Sequence, residues 1–244
     1  MKTIEIINGY ANKIKKIQEL ILEYIENDDS SETSFQNLIN YFDDQKISNN
    51  KPEFKTVLHL ISKITDNHHR KSDYFSKIEQ ILKRYQENIK SSFTNFDIFN
   101  IFKSNKRVLL FLFEEKIVIP DKSIAWIISN GKYKEEKYPQ YFFTEFKALF
   151  DKKLVNEIIS ETEDINDENL LTFEENRKRG MNSNYICKLI QNDSIDDFVT
   201  FYTRTNFSLS STVHASIYET NLFLINNEPS LIEYAAFFGS IQIF

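Results

Sequence analysis

The chain has few of the residues that interrupt helices or cross-link chains. Glycine and proline occur four times each among 244 residues, and there is one cysteine. So few helix-breaking residues argue against a fold rich in turns and strands and favour long helices joined by short polar connections. The single cysteine, Cys187, excludes an internal disulfide framework and is typical of a protein in a reducing compartment.

Long hydrophobic runs are also missing. The longest, Val108 to Phe113, is far too short to cross a bilayer, and Glu5 interrupts the start of any N-terminal signal peptide. We therefore expect a cytoplasmic protein with no membrane partner. The formal net charge of −6 leaves no dominant basic surface, so we expect no nucleic-acid partner either.

Motifs of nucleotide binding and catalysis are not found. The four glycines are scattered, so they cannot build a Gly-x-Gly-x-x-Gly or phosphate-binding loop. Cys187 with His214 or His59 could form a thiol–imidazole pair, but Cys187 lies in a short apolar segment where a small core residue is expected. His68 and His69 are adjacent and diverge on a helix, so they cannot easily share a metal ion. We therefore predict no enzyme activity, no catalytic residue, no cofactor and no metal site.

Residues 1–90 show apolar side chains at helical spacing, interrupted by short polar segments. This pattern predicts an N-terminal region of four helices as the first domain. Residues 4–26 also follow a heptad pattern. Its a and d positions are Ile7, Ile14, Ile21, Tyr10, Ile17 and Tyr24. Such a helix either forms a coiled-coil homodimer or packs on its own domain. Packing is favoured, because three heptads is the lower limit of the coiled-coil signal.

The helical segments become shorter from residue 91 onward. Asp97 and Asp167 are expected to cap helix N-termini, and Asp121 follows Pro120 where another short helix opens. The basic triplet at residues 177–179 is expected at a helix C-terminus, where cations meet the negative end of the helix dipole. The only tryptophan, Trp126, is expected in the core rather than in a binding hot spot.

Two segments near the C-terminus overlay without gaps. Residues 186–198 match residues 232–244, and each contains a short apolar helix, a tight turn and a second apolar segment. A third copy at residues 98–110 matches in apolar pattern only. The repetition predicts an all-α fold of antiparallel helix pairs stacked as an α-solenoid, with residues 91–244 as its second domain.

The last copy carries a family resemblance. Ser230-Leu231-Ile232-Glu233-Tyr234-Ala235-Ala236, then Gly239-Ser240 and Ile243-Phe244, resembles the ankyrin consensus Thr-Pro-Leu-His-x-Ala-Ala, Gly-His and Ile-Val. Ser230 can cap the first helix and Gly239 permits a positive φ at the turn. Leu231, Glu233 and Ser240 replace a proline and two histidines. A hydrogen bond that the family's histidine makes between repeats is therefore remade here or lost.

More widely, residues 91–244 resemble a domain of unknown function that precedes ankyrin arrays in large protist protein families. The stretches that carry this resemblance are residues 102–110 and 231–244. It implies a divergent ankyrin-like repeat region that is incomplete at the C-terminus. Since the second helix of the last repeat would be only about four residues long, we expect the chain to be the front of a longer protein.

The resemblance implies a protein–protein interaction scaffold without catalysis. In ankyrin-like arrays the partner usually meets the concave face and the loop tips, which makes Glu233 and Phe237 the expected protein contacts. Two alternatives stay open. One is an oligomerising structural protein that pairs through residues 4–26, and the other is an enzyme whose site no local motif reveals.

Overall fold

The part of the chain that the structure describes is mainly helical. A computed structural model describes residues 2–27, 31–68, 73–162, 165, 169–205, 208 and 210–243. In these ranges it contains 17 α-helices, one 3-10 turn and no β-strand, and a single antiparallel bridge joins Thr212 to Ser230. The predicted all-α class is therefore confirmed. Among the described residues, none of the helices is long and apolar enough to span a membrane.

The chain folds into two compact units. The first consists of Met1–Asn67 and Ser72–Phe102, and the second of His68–Lys71 and Lys103–Phe244. The helices of the first unit are Lys2–Glu26 (α1), Ser31–Asp44 (α2), Lys51–Asn67 (α3), Tyr74–Arg84 (α4), Gln86–Ser92 (α5) and Asn95–Phe102 (α6).

The second unit is built from shorter helices. In chain order they are Lys106–Glu114 (α7), Lys122–Ile128 (α8), Gly131–Glu135 (α9), Tyr138–Tyr141 (α10), Phe143–Phe146 (α11), Lys152–Glu161 (α12), Leu170–Arg179 (α13), Tyr185–Gln191 (α14), Ile195–Thr205 (α15), Leu222–Asn227 (α16) and Leu231–Phe238 (α17).

Helix α1 packs on its own unit along its C-terminal half. Ile17, Ile21 and Tyr24 are buried there, whereas Ile7 near the other end is 60% exposed. Three of the six heptad positions therefore belong to the core of the first unit. A coiled coil along all of residues 4–26 would have to release them, and dimerisation through this helix stays a prediction.

Helix α6 is capped by a different residue from the one predicted. Thr94 Oγ1 accepts a hydrogen bond from the Asp97 N–H at 3.1 Å, and the Asp97 carboxylate accepts one from the Thr94 N–H at 3.2 Å. Thr94 is thus the cap, and Asp97 is its reciprocal partner in the first turn. Asp121 does open α8, since its carboxylate accepts from two N–H groups of the first turn. Asp167 lies outside the described residues.

An aromatic cluster is buried in the second unit. Phe142 is fully buried, and its ring centroid lies 5.4 Å from that of Phe113 and 5.8 Å from that of Tyr138. Phe146 packs against both phenylalanines. Most of these contacts are edge to face, which is the favoured arrangement of aromatic pairs.

Trp126 is not part of this core, and the expectation that it would be buried is wrong. Its side chain is 69% exposed on α8, while Ile124 and Ile128 on the same helix are buried. Residues four apart share a helix face, so Ile124 and Ile128 point inward together. Trp126 lies two positions from each and therefore falls on the opposite face.

The basic triplet at the end of α13 contains a buried ion-pair centre. The Arg177 side chain is 1% exposed, and its guanidinium meets both Glu145 carboxylate oxygens at 2.7 Å and 3.0 Å. It also bonds the Glu174 carboxylate and the Tyr141 carbonyl oxygen. Burial alone would lower the pKa of Arg177, but the hydrogen bonds and charges of the two carboxylates raise it above its usual value. Helix α13 ends as predicted at Gly180, which has a φ of 64°.

Candidate protein-binding face

Helices α14, α15 and α17 pack around one apolar cluster. Helix α14 contacts both of the others, and Tyr234 of α17 is fully buried against it. The Gln191 amide donates to the Tyr234 hydroxyl at 2.8 Å, and this hydroxyl also bonds the Cys187 thiol. The side chains that the overlay placed in equivalent helices thus meet in a single core.

The two overlaid segments make the same turn. Asp193 and Gly239 occupy equivalent positions and have φ values of 50° and 68°. The next residue in each copy is a serine, and its N–H donates to the carbonyl oxygen five residues earlier, at 2.9 Å and 3.0 Å. This is the hydrogen bond that closes a helix at a left-handed residue. In the third segment Asn105 has a φ of −121° and caps α7, so that copy lacks the turn.

Side-chain bonds hold the two turns together. The Asp193 carboxylate accepts from the N–H groups of Gln242 and Ile243, at 3.1 Å and 3.2 Å. In return, the Ser240 hydroxyl donates to the Ile190 carbonyl oxygen. The first turn therefore fixes the chain that follows the second turn, and the two segments lie side by side rather than only sharing a pattern.

Equivalent positions differ sharply in burial. Ile186 of α14 is 6% exposed, whereas Ile232, its counterpart in α17, is 55% exposed. Ile190 is fully buried, but its counterpart Ala236 is exposed. Ile241, just past the second turn, is 84% exposed. We call Ile232, Ala236 and Ile241 the open face of α17.

The two predicted contact residues lie on α17, but both have structural roles. The Glu233 carboxylate accepts from the Ser230 N–H at 2.8 Å, and the Ser230 hydroxyl accepts from the Glu233 N–H. This capping box begins α17, and its hydrogen bonds lower the pKa of Glu233. Phe237 is half-buried, with its ring 5.1 Å from that of Phe238. As protein contacts, Glu233 and Phe237 stay predictions.

The open face itself was not singled out from the sequence, although a signal for it exists. The gapless overlay pairs Ile232 with Ile186, and a position buried between two stacked repeats in one copy becomes a surface in the next if nothing covers it. Ile232 could therefore have been selected in place of the capping residue Glu233.

Cys187 is placed as a core residue, as expected. It is 1% exposed, and burial raises the pKa of its thiol to about 12, an effect that the Tyr234 hydrogen bond only partly offsets. His214 shares with it the lining of a cavity of about 390 Å³, but the imidazole is largely exposed and lies 3.3 Å from Glu228. The local environment thus disfavours a thiolate nucleophile at this position.

We expect the Cys187 thiol to react very slowly with an aromatic disulfide reagent. At pH 8 a pKa of about 12, compared with the ordinary 9.0, lowers the thiolate fraction about 10³-fold relative to the unfolded chain. The neutral thiol also contributes stability below pH 9 that is lost as the pH rises toward 12. The measurement is the absorbance of the aromatic thiolate that the reagent releases, followed with the folded protein and with the protein unfolded in guanidinium chloride. Cys187→Ser should give no signal, and equal rates in both states would contradict the buried placement.

Within the described ranges, no group of three or more His, Cys, Asp or Glu side chains could hold a metal ion. Comparison of the chain with protein-family models, with curated proteins and with solved structures finds no match.

Proposed function

We propose that the chain is a helical-repeat scaffold that binds another protein through the open face of α17. The supporting observation is the difference in burial between Ile186 and Ile232 at equivalent positions of two matching turns. In the first copy, residues 186–198, helix α14 packs against α17, and its Ile186 and Ile190 are buried. The same positions of α17 present apolar side chains to solvent.

The occupant that this face fits is a second helix pair of the same kind. The face consists of small and branched apolar side chains, Ile232 and Ala236 on α17 and Ile241 just past the turn that ends it. A small residue such as Ala236 lets a neighbouring helix approach closely, and exposed isoleucines supply the apolar area that its burial requires. The ankyrin-like stacking of the C-terminal helices belongs to this proposal.

Ile232→Glu is expected to abolish capture of the partner. The variant places a charge in the middle of the open face, and an unpaired charge buried in an interface strongly opposes binding. Since Ile232 is more than half exposed, the change should alter the free energy of unfolding by no more than about 0.5 kcal/mol. Val199→Glu is the matched control, because Val199 is an equally exposed branched residue on α15.

A second, independent test uses a chain whose open face is covered by a fused segment. A designed helix pair with a polar outer face, fused after residue 244, should cover the open face and raise the melting temperature by several degrees. Proteins captured from a lysate are then compared by quantitative mass spectrometry. The proposal expects a protein that wild type and Val199→Glu retain and that both Ile232→Glu and the fused chain lose. The same set of captured proteins on all four baits would overturn it.

A further inference from the structure

The contact between the two matching turns includes a buried hydrogen bond from a side chain. The Ser240 hydroxyl donates to the Ile190 carbonyl oxygen, and the same oxygen accepts the Asp193 N–H at 3.0 Å. Ser240 is 2% exposed, so this bond is made away from water. A buried hydroxyl needs such an acceptor, because leaving it without one costs free energy. The second copy therefore recognises the first partly through one backbone oxygen.

The overlay identifies the equivalent oxygen on the open face. Ile190 corresponds to Ala236, and the Ala236 carbonyl oxygen accepts the Gly239 N–H at 3.2 Å, as the Ile190 oxygen accepts the Asp193 N–H. Among the described residues no side chain donates to the Ala236 oxygen, and Ala236 is exposed. A carbonyl oxygen has two lone pairs, so it can accept a second bond. The open face thus offers an acceptor at the position that Ser240 occupies in the preceding copy.

The surroundings of Tyr234 are not repeated on the open face. The Tyr234 hydroxyl accepts from the Gln191 amide at 2.8 Å and also bonds the Cys187 thiol. In the second copy, Phe237 corresponds to Gln191 and Glu233 to Cys187. The Phe237 side chain has no polar atom, and the Glu233 carboxylate is already engaged in the capping box of α17. A tyrosine seated here would bury its hydroxyl without either partner, whereas a phenylalanine or leucine would not.

We propose that the partner at the open face is a helix pair with serine or threonine in its turn and an apolar residue six positions earlier. The hydroxyl donates to the Ala236 carbonyl oxygen, and the apolar side chain packs on Phe237. The spacing is that of Tyr234 and Ser240 in this chain. This inference rests on the proposed function, because it requires that the open face is covered. It adds the chemistry by which the occupant is selected.

The test gives the full chain one more copy of its own repeat. Residues 199–244 are appended after residue 244, which continues the 46-residue spacing between Ile186 and Ile232 and adds a further α17. Ile232→Cys in the original copy places a thiol under the added helix. The rate at which this thiol reacts with an aromatic disulfide reagent reports how well the open face is covered. Cys187 does not interfere, because its raised pKa makes it react very slowly.

The added copy should slow the reaction of this thiol about tenfold or more. Ser240→Ala, made in the added copy alone, removes the hydroxyl that reaches the Ala236 oxygen. Loss of this one hydrogen bond should speed the reaction again by about three- to tenfold. Ser210→Ala in the added copy is the matched control, because Ser210 is exposed and the same change there should leave the rate unaltered.

Tyr234→Phe should have opposite effects in the two copies. In the added copy it removes a hydroxyl that lacks partners, so the thiol should react about threefold more slowly or less. In the original copy it removes an acceptor of the Gln191 amide, so the melting temperature of the chain without the added copy should fall. A general loss of packing would change both copies in the same direction.

The added copy also separates failure of this inference from failure of the scaffold proposal. If it leaves the reaction of the introduced thiol unchanged, the open face does not take a helix pair and both proposals are wrong. If the thiol is protected but Ser240→Ala and Ser210→Ala react at the same rate, the hydroxyl requirement is overturned and the scaffold proposal stands. Faster reaction with Tyr234→Phe in the added copy would likewise overturn the apolar requirement alone.

Discussion

Arg177→Ala is expected to lower the free energy of unfolding by about 3–5 kcal/mol. The guanidinium is buried, and its removal leaves the partly buried carboxylates of Glu145 and Glu174 without their cation. It also leaves the Tyr141 carbonyl oxygen without this donor. Unpaired buried charge, rather than the lost ion-pair attraction, is the main cause of the destabilisation.

Urea unfolding followed by circular dichroism measures this effect. Arg84→Ala is the control, because the ion pair of Arg84 with Asp43 is about half exposed and should contribute no more than about 1 kcal/mol. Adding Glu145→Gln and Glu174→Gln to Arg177→Met removes the uncompensated charges and should recover part of the loss. If Arg177→Ala and Arg84→Ala unfold at the same urea concentration, the buried ion-pair centre is wrong.

Phe142→Ala is expected to lower the free energy of unfolding by about 3–5 kcal/mol, because it creates a cavity in the core. The Phe142 ring is enclosed by four other aromatic rings, so its removal leaves a cavity that the rigid neighbours fill poorly. Part of the loss is the transfer of apolar area, and part is the cavity itself. Loss of native packing should also appear as a reduced near-ultraviolet circular dichroism signal.

Trp126→Ala is the matched control for the aromatic cluster. It removes a larger ring, but from a side chain that is mostly exposed, and should change the free energy of unfolding by no more than about 0.5 kcal/mol. Phe142→Ala should therefore lower stability more than Trp126→Ala, although it removes the smaller ring. A larger loss for Trp126→Ala than for Phe142→Ala would show that the core has been assigned to the wrong face of α8.

Local signals made the helices and several of their ends predictable. Apolar spacing predicted the all-α class, and the capping residue Ser230 and the left-handed Gly239 were identified from short-range chemistry alone. The expectation that Trp126 is buried is wrong because it rests on residue type and ignores the position of Trp126 between Ile124 and Ile128 on the helix. Helix face, rather than residue type, decided its burial.

Long-range contacts were beyond the reach of the sequence. Arg177, Lys178 and Arg179 are chemically alike as neighbours in the chain, and only the approach of Glu145, 32 residues away, buries the first of them. By contrast, the open face follows from a repeat that the sequence does display.

The hydrogen bonds of the Asp193 carboxylate bear on the lifetime of a partner bound at the open face. Asp193 fastens the backbone at Gln242 and Ile243, so the second copy cannot leave the first without breaking those bonds. Its counterpart Gly239 has no side chain and can offer no such fastening to whatever covers Ile232. A helix pair seated there would lack the hydrogen bonds that Asp193 makes to the following backbone. We therefore expect it to dissociate more readily than α17 separates from α14.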